Sequence, residues 1–266
     1  MPELGRPFVH LPGVLDDRDL VFLKETCKRH LREEAMPCFT LIDRLESPTA
    51  RKIERAVEAC VGGPVHYLND FYLFTDGSCR TGWHMDTELF TFHHAVNAWI
   101  LLSPDQVDDP LGFIDQLNDA PDRSYHAAEV EGDECLFVDH LDGRETTRSV
   151  REIEATQIHT PRISLGDLLL IDPRRFHRTN VDSAKHAVSI KFVSEGPGGF
   201  LSPAQVPGAF WPEVDLLSDL VGRATDWDGV IEGIRRALQD EDGRATLSAG
   251  FYPARFDLYR RMAQLL

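Results

Sequence analysis

A change of period in the middle of the chain constrains the fold most. Up to residue 62 the apolar residues recur at helical spacing. From Val65 the segment VHYLNDFYLF (65–74) is β-branched, aromatic and partly alternating, which predicts a strand. Asp76-Gly77 is a turn signal. Further short apolar runs follow at 89–92, 96–102, 135–138, 163–165, 168–171 and 187–193. Many short strands separated by turn residues favour a barrel or a sandwich.

Helices flank this region. Residues 14–35 predict one, capped by Asp16 or Asp17, with Leu20, Phe22, Leu23, Cys27 and Leu31 as its apolar stripe. A second covers 48–60 and ends at Gly62-Gly63. Beyond Gly196-Pro197-Gly198-Gly199 the chain reads as helical again, at 213–223, 227–239 and 255–266. The whole chain, 1–266, reads as one domain. Its parts are N-terminal helices (1–64), a β core (65–195) and a C-terminal helical region (196–266). Residues 103–162 are long, charged and irregular, and read as an insert, either a lid or a solvated excursion.

The formal charge of -16 excludes an easy partnership with phosphate backbones or anionic membrane surfaces. No apolar run approaches the roughly 20 residues that span a bilayer. No signal peptide is visible at the N-terminus. The five cysteines are widely spaced, odd in number and lack a CxxC, so a cytoplasmic protein without disulfides is expected. A small-molecule substrate fits this balance. The apolar spacing of the C-terminal helices suits core packing or a dimer face, so monomer and homodimer both remain open.

Two segments carry chemistry. In Trp83-His84-Met85-Asp86, positions 84 and 86 point to one face of a strand and can reach one ion. In the second, Gly166-Asp167 turns into the apolar strand 168–171, Asp172-Pro173 ends it, and His177 follows. Two imidazoles and one carboxylate make a facial ligand set for non-haem Fe(II) with open positions.

These two motifs, in this order, resemble the Fe(II)/2-oxoglutarate-dependent oxygenases, most closely the phytanoyl-CoA dioxygenase type. The resemblance covers roughly 65–195. It implies an α+β protein with a double-stranded β-helix (jelly-roll, cupin-like) core. It also implies His84, Asp86 and His177 as iron ligands, 2-oxoglutarate and O2 as cosubstrates, and ascorbate as a supporting reductant. The family holds the far carboxylate of 2-oxoglutarate with a basic residue, usually arginine, on the last core strand. Here no arginine stands at that place. Lys185 is the anchor candidate, with Lys191 and His186 as alternatives. By the same resemblance Asn69 and Thr179 contact the cosubstrate and Trp99 lines the pocket. Arg80, four before His84, is a candidate grip for a substrate carboxylate. Each also has a plain structural use: Asn69 in a turn, Thr179 on backbone, Trp99 in the core, Arg80 in a surface ion pair.

The implied reaction is hydroxylation of a small molecule, an amino acid or biosynthetic intermediate, with release of succinate and CO2. Asp86 fills the position that related halogenases leave to chloride. Desaturation, cyclisation or epoxidation would use the same ligands. Two other classes remain open: a non-redox cupin-like metalloprotein (an isomerase or ligand-binding barrel), and an inactive binding protein on the same fold.

Overall fold

The computed structural model describes residues 8–33, 41–75, 81–84, 95–103, 106–107, 111–114, 124–131, 134–141, 144–152, 158–173, 175–179, 185–194, 223 and 226–243. Arg80 and Asp86, the expected strand 89–92, and the expected helices 255–266 and most of 213–223 lie outside them.

The N-terminal helices form where their caps stand. Helix α1 (Asp17–Glu33) begins at Asp16, whose carboxylate accepts the backbone N–H groups of Arg18 (2.9 Å) and Asp19 (3.1 Å). Asp19 reciprocates on the Asp16 N–H at 3.0 Å, so Asp16 rather than Asp17 is the cap. Its stripe Leu20, Leu23 and Cys27 is buried. Helix α2 (Pro48–Val61) is capped by Ser47, which accepts the Ala50 N–H, and stops at Gly62 in the left-handed region, φ 79°. Lys52 ties the two helices through Asp16 and Asp19. Helix α3 (Trp227–Gln239) buries Val230, Ile231 and Ile234, and the Arg235 guanidinium donates to the Ile42 carbonyl at 3.3 Å.

Two antiparallel sheets make the centre. The five-stranded sheet runs β1 (Phe8–Leu11), β12 (Leu168–Ile171), β4 (Ala95–Ser103), β14 (Lys185–Ser194), β2 (Val65–Thr75). The four-stranded sheet runs β10 (Ile158–His159), β6 (Leu111–Ile114), β13 (His177–Thr179), β3 (Thr81–His84). From β2 onward the strands of the two sheets alternate along the chain, except that β6 and β10 both fall in the small sheet. A two-stranded pair joins β5 (Gln106–Val107) to β11 (Ile163–Ser164). A separate meander holds β7 (Ser124–Glu131), β8 (Glu134–Leu141) and β9 (Arg144–Glu152).

The stretch 103–162 is therefore not irregular. It carries β5 to β10, and two of those strands, β6 and β10, belong to the four-stranded sheet. Within it the sequence pattern marks a strand only at 135–138, inside β8; β5, β6 and β10 are two to four residues long, and β7 and β9 are too polar and charged to show an apolar alternation. β1 was equally hidden.

The large sheet has two buried faces. Ala98, Ile100 and Leu102 share one apolar cluster with Leu168, Leu170, Val188, Ile190 and the helices. Trp99 and Leu101 alternate with them and share a second cluster with Leu169, Ile171, Ala187 and, from the small sheet, Leu111 and Phe113. The second cluster fills the space between the sheets, and burial on both faces explains the near-continuous apolar run of β4. Each fully buried Leu or Ile contributes about 1.5–3 kcal/mol. Among the described residues, no helix is long and apolar enough to cross a membrane.

The Gly166-Asp167 turn is a latch. Gly166 has φ 87°, and a Cβ there would stand 2.5 Å from the Leu15 carbonyl oxygen. The Leu15 N–H donates to the Gly166 carbonyl at 2.8 Å. Asp167 accepts from Gly13 N–H (2.9 Å), Ser164 N–H (2.9 Å) and His10 Nε2 (2.9 Å). Burial pushes this carboxyl up, but the N–H donors of Ser164 and Gly13 and the His10 imidazole outweigh it and hold it below its ordinary 3.8. The latch fixes β1 antiparallel to β12, with Phe8 opposite Ile171 and His10 opposite Leu169.

Candidate active site

His177 opens β13 and is buried, at 6% exposure. The Cα register sets it opposite His84, the last residue of β3, and opposite Phe113 on β6. The chain thus brings the two histidines of the separate motifs side by side in one sheet. His177 Nδ1 lies 2.9 Å from the Arg175 carbonyl oxygen. A carbonyl only accepts, so Nδ1 carries the proton and Nε2 carries the lone pair that a metal needs. The Phe113 ring stacks on the His177 ring at a centroid distance of 6.2 Å, and Phe8 packs on Phe113 at 4.8 Å. Ring packing and the backbone hydrogen bond both fix the imidazole plane. The donor chemistry of this histidine fits a divalent transition metal. Asp86 lies two residues past the end of the described β3, outside the described residues, and no set of three metal-binding side chains is found among those described.

Thr179 lies two residues further on β13, opposite Thr81 and Leu111, and is buried. Lys185 opens β14 opposite Thr75 and is buried at 2% exposure. Trp99 is buried in the inter-sheet cluster, and its indole N–H has no hydrogen-bond partner among the described residues. Asn69 has zero exposure, and neither its amide nitrogen nor its amide oxygen has a partner among the described residues. An orphaned buried polar group costs about 1–3 kcal/mol, so the Asn69 amide and the Trp99 indole N–H on one inner face fit a polar ligand there.

The alternatives to Lys185 separate cleanly. His186 pairs with Phe74 on the opposite face of β14, and burial followed by the nearby Lys24 and Lys28 charges of α1 pushes its imidazole pKa down. It faces the helices, not the inter-sheet space. Lys191 is buried on the inner face, opposite Asn69 on β2 and Asn97 on β4. The register moves Asn69 onto the row of Lys191, six residues along β14 from Lys185, or about 20 Å at ~3.3 Å per residue.

Asn97 was not among the residues the sequence pointed to. A signal was present: Asn97 interrupts AVNAWILL, and Ser189 and Lys191 interrupt AVSIKFV, polar residues every second position in strands otherwise apolar.

No family model and no curated protein sequence matches the chain. Solved structures do. The chain is similar to the epimerase SnoN in complex with Fe3+, alpha ketoglutarate and nogalamycin RO, at TM-score 0.52 and 20% identity, covering 83% of this chain and 88% of that one. It is similar to the non-heme alpha ketoglutarate dependent carbocyclase SnoK from nogalamycin biosynthesis, at TM-score 0.53 and 15% identity, covering 77% and 85%. It is also similar to EvdO2 from Micromonospora carbonacea var. aurantiaca, at TM-score 0.51 and 15% identity, covering 76% and 89%. At these identities the likeness establishes a shared fold.

Proposed function

We propose that this chain is an Fe(II)/2-oxoglutarate-dependent dioxygenase with a double-stranded β-helix core, related to the phytanoyl-CoA dioxygenase type. Its substrate is a small molecule, an amino acid or a natural-product intermediate. The observation that carries the reading is the pairing of His177 with His84, with the His177 proton held on Nδ1 by Arg175. That register is what a shared ion would require of the two motifs. The SnoN and SnoK structures, whose proteins use alpha ketoglutarate in natural-product chemistry, support the same reading through the common fold.

In this reading His84, Asp86 and His177 hold the iron. With 2-oxoglutarate and O2 the iron supplies the oxidising power for C–H hydroxylation, and succinate and CO2 are released. The protein's own part is placement. The Lys185 ammonium takes the far carboxylate of 2-oxoglutarate as a point charge, and the Thr179 hydroxyl donates to the same group. Asn69 is the third cosubstrate candidate by resemblance, though its row is that of Lys191. Trp99 and the apolar inter-sheet cluster exclude water. Arg80 is the candidate for a substrate carboxylate at the entrance, and the 103–162 segment shapes the pocket. SnoN is an epimerase and SnoK a carbocyclase, so likeness to them does not single out hydroxylation. The wide-spaced cysteines support a cytoplasmic location.

The test is anaerobic addition of Fe(II), 2-oxoglutarate and ascorbate. The expected result is a weak visible metal-to-ligand charge-transfer band in wild type, abolished by His177→Ala and by Asp86→Ala. A folded wild type without the band favours a non-redox barrel or an inactive binding protein.

A further inference from the structure

We propose that Phe8 is a positioning residue for the His177 imidazole, and that strand β1 thereby tunes the metal affinity of the site. The inference rests on the reading of His177 as an iron ligand, but the ring contacts stand without it.

β1 is four residues long, lies at the edge of the large sheet and, among the described residues, pairs with β12 alone. It presents side chains to both faces. Phe8 stands opposite Ile171, and Val9 opposite Leu170. Ile171 belongs to the inter-sheet cluster and Leu170 to the helix-side one, and Phe8 and Val9 pack against the same two clusters. Phe8 therefore enters the space between the sheets from the edge of the large one. There its ring meets that of Phe113, on β6 of the small sheet, at 4.8 Å between centroids and 43° between planes. Phe113 is fully buried and meets the His177 ring at 6.2 Å and 29°. Both separations fall where aromatic rings attract, about 4.5–7 Å.

The imidazole needs this support. Its Nδ1 proton goes to the Arg175 carbonyl at 2.9 Å, and a single hydrogen bond still lets a ring tilt about the bond direction. A ring against the imidazole face removes that freedom. Phe113 can do so only while its own ring is held, and Phe8 is the aromatic neighbour that holds it. The latch carries the constraint onward. His10, Gly13 and Leu15 are tied to Gly166-Asp167, which fixes the register of β1 and so the place of Phe8. The order is latch, Phe8, Phe113, His177. Losing the layer that orients a metal ligand costs about tenfold to a hundredfold in metal affinity. Phe8 acts through one intervening ring, so the lower end applies. Val9 and Leu11 also pack on the helix-side core, so positioning must be told apart from plain support of the fold.

The test uses the full chain and Co(II) alone, whose d–d absorption reports coordination geometry. Phe8→Ala should bind Co(II) about tenfold more weakly than wild type and shift the d–d band. Phe8→Tyr keeps the ring and should restore the affinity to within about twofold. Phe8→Leu keeps apolar bulk without a ring and guards against misfolding of the alanine variant; its affinity should fall between the two. Ser47→Ala loosens the fold from the α2 cap and should leave affinity and band unchanged. A second readout needs no metal. At a pH where the ring is neutral, imidazole nitrogen-15 spectra should show His177 as one Nδ1–H tautomer in wild type and as a tautomer mixture in Phe8→Ala. The proposal is overturned if every folded variant lacking the ring binds Co(II) as wild type does, or if Phe8→Tyr binds no better than Phe8→Ala. It is equally overturned if Ser47→Ala weakens binding as much as Phe8→Ala. A wild type that binds no Co(II), while His177 still loses its single tautomer in Phe8→Ala, keeps the positioning and sinks the iron reading.

Discussion

Asp167 and Asn69 are both buried polar residues next to apolar strands, yet they live in opposite conditions. Asp167 accepts three hydrogen bonds and closes the β1 latch. Asn69 makes none through either end of its amide among the described residues. A buried polar group that serves the fold has its partners inside the fold. One that does not is costly to keep, which is the mark of a group held for something that binds.

The contrast can be broken by substitution, and the largest effects fall on the latch. Gly166→Ala forces a side chain into a left-handed backbone against the Leu15 carbonyl, and Asp167→Asn replaces an acceptor by a donor facing N–H groups. Each should destabilise by about 2–4 kcal/mol in chemical unfolding. A loss under half a kcal/mol would deny the latch any structural role. The latch also has a pH signature. Folding holds the Asp167 carboxyl below 3.8, so its stabilisation is fully present above that value and is lost as pH falls through the lowered one. The stability difference between wild type and Asp167→Asn should therefore shrink only under strongly acidic conditions. A difference that vanished near neutral pH would point to another cause.

Next in size is Lys185→Met, which should weaken 2-oxoglutarate binding roughly tenfold to a hundredfold, read from the charge-transfer titration. Unchanged affinity would transfer the anchor to Lys191. Ser47→Ala should cost about 1 kcal/mol by removing the α2 cap, measured by thermal unfolding. The smallest effect has the opposite sign. Asn69→Leu removes an amide with no partners among the described residues, so folding stability should stay level or rise by up to about 1 kcal/mol while ligand binding suffers. A large destabilisation there would show that Asn69 serves the fold after all.

Much of the fold was legible in the sequence because its signals are local. The Ser47 and Gly62 ends of α2 stand where the sequence puts them, and β2, β4, β12 and β14 fall on the expected apolar runs. β1, β6 and β10 were not legible, being two to four residues long and defined only by distant partners. Gly166-Asp167 was visible as a turn, but nothing near it announces that its acceptors meet Gly13 and His10. The same limit hid the Asn69–Lys191–Asn97 row. It depends on the register of three strands, and the β2–β14 pairing shifts just past Lys191, so counting residues alone would not align them. The pairing of His84 with His177 was legible in kind, because the two motifs name ligand chemistry that only proximity could satisfy.

Iron binding itself tests the ligand set most directly. Anaerobic titration should give one Fe(II) per wild-type chain, and His177→Ala, in a protein whose unfolding temperature is preserved, should weaken binding by about a hundredfold or more. His177→Ala that binds Fe(II) as tightly as wild type would contradict the account.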